Sequence, residues 1–380
     1  MRIAQRLTSL LFKRKAHFPP SSPRPQLPEG CVRFLQAIPK AEIHLHFEGA
    51  VFGPTILALA RKYKSPEIRT LSDAEWRLFF TDAQMFFENF LSLSSLFREP
   101  EDFYIAAFDL GRRLAQENIQ YVEITIAPHK FMRAGVPYPD LMEAVNRGLR
   151  DAPGADRREH RFIIDIVRDL GPALGMDMMR EVERHPIAEA AGVGLGGGEN
   201  YPAEDSAEVF AFAESIGLRK TAHAGEGRGP QSIWSALQSL GVERIDHGVR
   251  AREDEKLLDY LAENQIPLNQ CPTSNVMLGV APGLKEHPFR FYWERGIPLT
   301  VGSDDPAFFK VSLTGELEKL IAFQHFTLDE IPALIENALR ASFLDDGAKA
   351  KWITRFREET NALLAARRSS GESEAARSGD

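Results

Sequence analysis

The alternation of short apolar runs with helical stretches limits this chain's possible folds more than any other feature. Eight runs read as strands: residues 41–47, 121–126, 162–167, 193–199, 220–223, 244–247, 266–271 and 297–302. Helical patterns fall between them at 54–64, 101–118, 175–190, 204–217, 230–240 and 253–264. The run at 162–167 is nearly all apolar, as strands covered on both faces are. Strand–helix alternation implies a parallel sheet with right-handed crossovers. Eight such units in roughly 270 residues fit a (β/α)8 TIM barrel better than an open sheet. The Phe-rich stretch 76–97 exceeds what one unit needs, so extra N-terminal helices are expected over the barrel mouth. Most of those phenylalanines read as core. Phe86 and Phe90, four apart on one helical face, are candidates for an apolar wall over a flat substrate, in a segment that could act as a lid.

Residues 31–368 are expected to form this one domain. Residues 1–30 differ: Arg2, Arg6, Lys13, Arg14, Lys15 and Arg24 precede any acid, and prolines follow. They read as a flexible basic extension without the apolar core and cleavage site of a signal peptide. Residues 369–380 are Ser, Gly, Glu, Arg and Ala-rich and read as a disordered tail. The net charge of -8 argues against a nucleic-acid partner. No apolar run is long enough to span a membrane. Two cysteines, Cys31 and Cys271, make no disulfide framework and suit a reducing cytoplasm. Oligomeric state is not legible.

Chemistry collects where the strands end. The first carries His44 and His46, which period-two alternation points to one side. Neutral imidazoles are common ligands for divalent ions. The fourth run ends in Gly197-Gly198-Glu199, the fifth in His223-Ala224-Gly225-Glu226, the sixth in Asp246-His247-Gly248 and the eighth in Ser303-Asp304-Asp305-Pro306. In a barrel these ends meet on the C-terminal face, where active sites lie. Alternation turns Asp246 away from His247, so Asp246 is left out. His129, His160, His185, His287 and His325 read as ordinary, and Cys271 as packing. Asp305 has a second reading as the cap of a following helix.

The stretches PKAEIHLHFEGA, GVGLGGGEN, TAHAGE, IDHG, CPTSN and GSDDP, in this order, resemble the adenosine deaminase family of the amidohydrolase superfamily, over roughly residues 35–345. The resemblance implies one divalent metal ion, usually zinc, on His44, His46, His223 and Asp304. It implies that His247 and Asp304 orient the attacking water, that Glu226 gives a proton to purine N1, that Asp305 meets N7 and that the Gly197 N–H meets N3. The implied partners are a small purine nucleoside and water.

Glu48 departs from the Asp common in adenosine deaminases proper, where that residue meets the ribose 5′-hydroxyl. Gly194 also stands where they tend to carry Asp. GLGGGE, HAGEGRGPQSIWSAL and RASFLDDGAKAKW resemble the branch that deaminates 6-amino-6-deoxyfutalosine in menaquinone synthesis. That substrate is slightly preferred here, with adenosine close behind. Arg228 or Arg168 would pair with its carboxylate. The alternatives are adenine deamination, or another amidohydrolase-type hydrolysis on the same mononuclear site. A non-catalytic binding protein ranks last, since every catalytic residue type is present.

Overall fold

The computed structural model describes residues 25–369. Most of the basic extension and all but the first residue of the expected tail lie outside these residues. Eight parallel strands follow one another in sequence order: β1 Lys40–His46, β2 Ile119–Ile126, β3 Glu159–Val167, β4 Ala190–Gly196, β5 Arg219–Ala224, β6 Arg244–His247, β7 Leu268–Gln270 and β8 Leu299–Val301. Beyond β8 the chain returns to β1. His46 N–H donates to the Asp304 carbonyl at 2.9 Å, and Asp304 N–H to the His44 carbonyl at 3.2 Å. The expected (β/α)8 TIM barrel is therefore the observed architecture.

The strands differ from their sequence readings in explicable ways. β4 stops at Gly196 because Gly197 turns the chain at φ +85°. β7 and β8 begin one residue after Pro267 and Pro298, which have no N–H to give a ladder. The proline carbonyls still accept from Ile245 and Leu268, each at 2.9 Å. The helical pattern at 230–240 is an α-helix over Pro230–Ser235 that continues as a π turn over Ala236–Leu240. Three helices beyond β8 had no counterpart among the runs read from sequence: Leu313–Gln324, Ile331–Ala341 and Asp346–Ser369.

Alternation sorts the strand residues. On β3, Phe162, Ile164 and Ile166 are buried, in the single large apolar core. The intervening residues of β3 include Asp165, whose carboxyl lies beside Gly194 and Gly196 of β4; a side chain at either glycine would collide with it. The base of the barrel is closed by the end of helix Ile331–Ala341 and by Phe343. There Arg244 meets Glu123 at 2.6 Å, both essentially buried. Tyr121 and the Phe343 N–H donate to the same carboxylate. The mouth is partly covered by helix Ala83–Ser94 from the β1–β2 connection, seated on Phe308 and Phe309. No helix among the described residues is long and apolar enough to cross a membrane.

Candidate active site

Four side chains converge on one point at the mouth. Period two on β1 delivers His44 and His46, β5 delivers His223, and the turn after β8 delivers Asp304. Asp304 Oδ1 lies 3.3 Å from Nε2 of both His44 and His46. His46 and His223 bring their Nε2 atoms within 3.1 Å of each other. Donor atoms of all four residues lie within 4.8 Å of one another. Neither ring nitrogen of His44 makes a hydrogen bond of good geometry, although both are buried. Buried polar nitrogens left this way are rare in a folded protein, and lone pairs facing one another repel. Three imidazoles and one carboxylate match the donor set of a divalent transition ion, so the residues fit such a metal. His247, Cys271 and Asp304 also approach one another within 4.8 Å. Burial pushes the Cys271 thiol well above its ordinary value, and a thiol is a poor ligand beside a thiolate.

The expectation that Asp246 points away from the site does not hold. Its Oδ1 lies 3.3 Å from His44 Nδ1 and its Oδ2 3.9 Å from His223 Nδ1. Thr221 and Asn269 donate to it at 2.8 and 2.7 Å. Such outer carboxylates orient ligand imidazoles and raise their basicity. Alternation fails because His247 is left-handed, at φ 67°. The strand ends there, so the imidazole turns back to the same side as its neighbour. Asp304 is left-handed too, at φ 61°. Positive φ is uncommon outside glycine, though His and Asp tolerate it better than most residues.

Glu226 stands across from the cluster. Its Oε1 lies 3.6 Å from His247 Nδ1 and accepts from Asn275 Nδ2 at 3.3 Å. Burial first, then the carboxylates of Asp304 and Glu199, push its carboxyl up to about 8. The turn that carries it is gripped by Glu199, whose carboxylate accepts the N–H groups of Gly225, Glu226 and Gly227 at 2.9, 2.9 and 2.8 Å. Glu199 and Asn275 lay inside the quoted motifs, but no residue pattern there pointed to these partners. His287, read as ordinary, is joined to Asn275 at 3.1 Å.

The remaining candidates divide. Asp305 is buried with Oδ1 unpartnered, and its side chain makes no cap bond to helix Pro306–Phe309, against the capping alternative. Burial and then Asp304 push its carboxyl well up. Gly197 is at the mouth, where a side chain would strike Asp169 Oδ2 at 2.2 Å. Glu48 accepts from the Ala127 N–H at 3.1 Å and pairs with Lys130 at 3.1 Å. Burial would raise its carboxyl, but Lys130 and backbone donors hold it below its ordinary value. Phe86 is buried against Phe80, Phe308 and Phe309, which makes it core first. Phe90 is half-buried with Lys130 4.6 Å over its ring. Arg168 is no rim cation: it is buried, and its guanidinium donates to the carbonyls of Gly196, Tyr201 and His223. Arg228 is exposed and donates to Asn200.

Proteins similar to this chain align over most of its length and of their own. It is 34% identical to an aminodeoxyfutalosine deaminase of Streptomyces avermitilis, over 87% of this chain and 94% of that one. It is 36% identical to an adenine deaminase of Cupriavidus metallidurans, over 84% and 90%. Among solved structures, an adenine deaminase from Arthrobacter aurescens superposes with a TM-score of 0.81 at 29% identity, covering 87% of this chain and all of that one. An amidohydrolase from Burkhoderia ambifaria, solved with bound Zn, gives a TM-score of 0.84 at 26% identity, over 92% and 98%. The family model described as adenosine deaminase matches residues 39–359, which span the barrel from β1 into the last helix, and the chain belongs to that family.

Proposed function

We propose that this protein removes the 6-amino group of an adenosine-type purine nucleoside by hydrolysis, releasing ammonia, and that it acts on 6-amino-6-deoxyfutalosine slightly in preference to adenosine. The observation that carries the reading is the placement of Glu226: a carboxyl pushed up to about 8, 3.6 Å from His247, whose other ring nitrogen is 4.0 Å from Asp304 of the His/Asp cluster. An aromatic C6 accepts a nucleophile only if charge building on the ring is neutralised. A carboxyl still protonated near neutral pH can do this by giving its proton to N1.

His44, His46, His223 and Asp304 would hold one divalent ion, and zinc is the proposed metal, as in the zinc-bound amidohydrolase above. Bound there, it supplies a Lewis-acid centre able to bring the pKa of water from 15.7 to about 7. His247 and Asp304 flank the attacking water, their nearest side-chain atoms 4.0 Å apart. Asp305, kept neutral, offers an O–H to the N7 acceptor. Gly197, held at φ +85° against Asp169 where a side chain has no room, offers its backbone N–H to N3. Phe90, with Phe86 packed behind it, contributes an apolar wall.

Support for the substrate order comes from the aminodeoxyfutalosine deaminases among the relatives and from Glu48, with exposed Arg228 as the partner of the substrate carboxylate. A second reading, free adenine, is favoured by the adenine deaminases among the similar proteins and solved structures. The proposed compartment is the cytoplasm, in keeping with two free, buried cysteines.

The test is kcat/KM on zinc-loaded protein for 6-amino-6-deoxyfutalosine, adenosine, 2′-deoxyadenosine and adenine. The futalosine compound is expected to rank first, which would place the enzyme in menaquinone synthesis. Adenine ranking first moves the assignment to the second reading. Turnover of none of the four, with zinc bound, sinks purine deamination.

A further inference from the structure

Glu226 and His247 share one neighbour outside the metal cluster, and it leads to a histidine that no motif includes. The Phe289 backbone N–H points at His287 Nδ1 at 3.2 Å. A backbone N–H can only donate, so Nδ1 accepts, and a neutral ring then carries its proton on Nε2. His287 is buried and neutral: burial, then Arg252 and His247, push it down to about 3. Its Nε2–H reaches Asn275 Oδ1 at 3.1 Å. That contact fixes the amide, because the flipped Asn275 would set NH2 against N–H.

The other end of the amide follows. Asn275 Nδ2 carries two protons and has two partners: His247 Nδ1 at 3.1 Å and Glu226 Oε1 at 3.3 Å. Both must accept. The proton of neutral His247 is then on Nε2, the nitrogen facing Asp304 Oδ2 at 4.0 Å. A protonated Glu226 carries its proton on Oε2, the oxygen that Asn275 does not occupy. Left-handed His247 is further held by Gln270, whose amide donates to its carbonyl.

We propose that Asn275 and His287 are positioning residues that place one proton on His247 Nε2 and one on Glu226 Oε2, so that both proton-bearing atoms face the reacting space. Neither hydrogen-bonds to His44, His46, His223 or Asp304; they act through hydrogen-bond direction, propagated from a single backbone N–H. The kinetic consequence rests on the roles given above to Glu226 and His247, whereas the proton pattern does not.

The experiment therefore has two arms. Zinc-loaded, full-length protein with 15N-labelled histidine is examined by two-bond 1H–15N correlation. His287 and His247 are both expected as the Nε2–H tautomer, and an Nδ1–H tautomer at either overturns the proposal. In the second arm His287→Phe, which keeps bulk but has no donor, is expected to lower kcat by about 10–100-fold with KM little changed and zinc content intact. His287→Gln, whose amide still donates to Asn275, should recover most of that loss. A His287→Phe enzyme as fast as wild type overturns the proposal too. A wild type that deaminates no purine would sink the proposed function alone, because the tautomers are read without turnover.

Discussion

At the base of the barrel Arg244 meets Glu123 at 2.6 Å, stands 3.8 Å over the Phe343 ring and donates to the Ala341 carbonyl. At the mouth, where Asp246 stands two residues beyond Arg244 on β6, the buried ionisable groups around the imidazoles are mostly carboxyls. Asp304 and Asp305 are chain neighbours, and Asp246, Asp165, Glu48 and Glu226 lie within electrostatic reach of one or more of the others. Both ends carry ionisable groups out of water, which is costly. The base offsets that cost with an opposite charge; at the mouth Glu48 has Lys130, but Asp304, Asp305 and Glu226 lie against one another's carboxylates. Uncompensated charge in a cleft marks chemistry, and compensated charge in a plug marks structure.

Exchange of effects between the two ends would break this division. The largest expected effect is on activity: Glu226→Gln should lower kcat at least about 100-fold while the protein keeps its metal and its unfolding midpoint. Steady-state rates with metal analysis decide it, and unchanged deamination would remove Glu226 as proton donor. Next comes stability at the base. Arg244→Met leaves Glu123 buried without its cation and should cost about 3–5 kcal/mol in urea unfolding, with kcat nearly unchanged in the folded fraction. A loss of activity without loss of stability would show that the ends are not separate.

The smallest effect is a slope with pH, in metal-free protein. Burial, then neighbouring carboxylates, push Asp165 and Glu226 up to about 8, and burial pushes Glu42 up to about 7. Across the window from the ordinary carboxyl range to about 8, the folded chain holds protons that the unfolded chain has released. The contribution of these three acids is then fully present below that window and falls as pH rises through it, while buried histidines held low, among them His129, His160 and His287, give the opposite slope below about pH 6.5. Asp165→Asn isolates one acid: in chelator-treated protein its stability relative to wild type should rise between about pH 5 and about pH 8. No relative gain over that range would contradict the burial assigned to Asp165.

What the sequence made legible follows from periodicity. His44 and His46 could be paired because two-residue alternation holds from one to the other at the end of β1. The TIM barrel could be expected because eight apolar runs recur with helices between. Asp246 was lost for the same reason the others were found: alternation was extended through a residue whose backbone breaks it. His287 was lost because its link to the site passes through Asn275 and a backbone N–H, neither of which leaves a pattern in sequence. Arg168 looked like a rim cation on charge alone, yet its donors are spent on carbonyls of β4, β5 and the β4–α turn. Phe86 looked like pocket wall on spacing alone, and three phenylalanine neighbours account for it.

The left-handed backbone at His247 and Asp304 bears on transplantation. An engineer copying this centre onto another barrel would begin with the side chains, since they name the chemistry. Set at the ends of ordinary strands, the two residues would obey alternation and send an imidazole and a carboxylate out among the surrounding helices. The recipient must therefore supply two sharp corners where its sixth and eighth strands stop, each costing about 1–3 kcal/mol for a residue that is not glycine. The portable unit is the corner together with the side chain it aims.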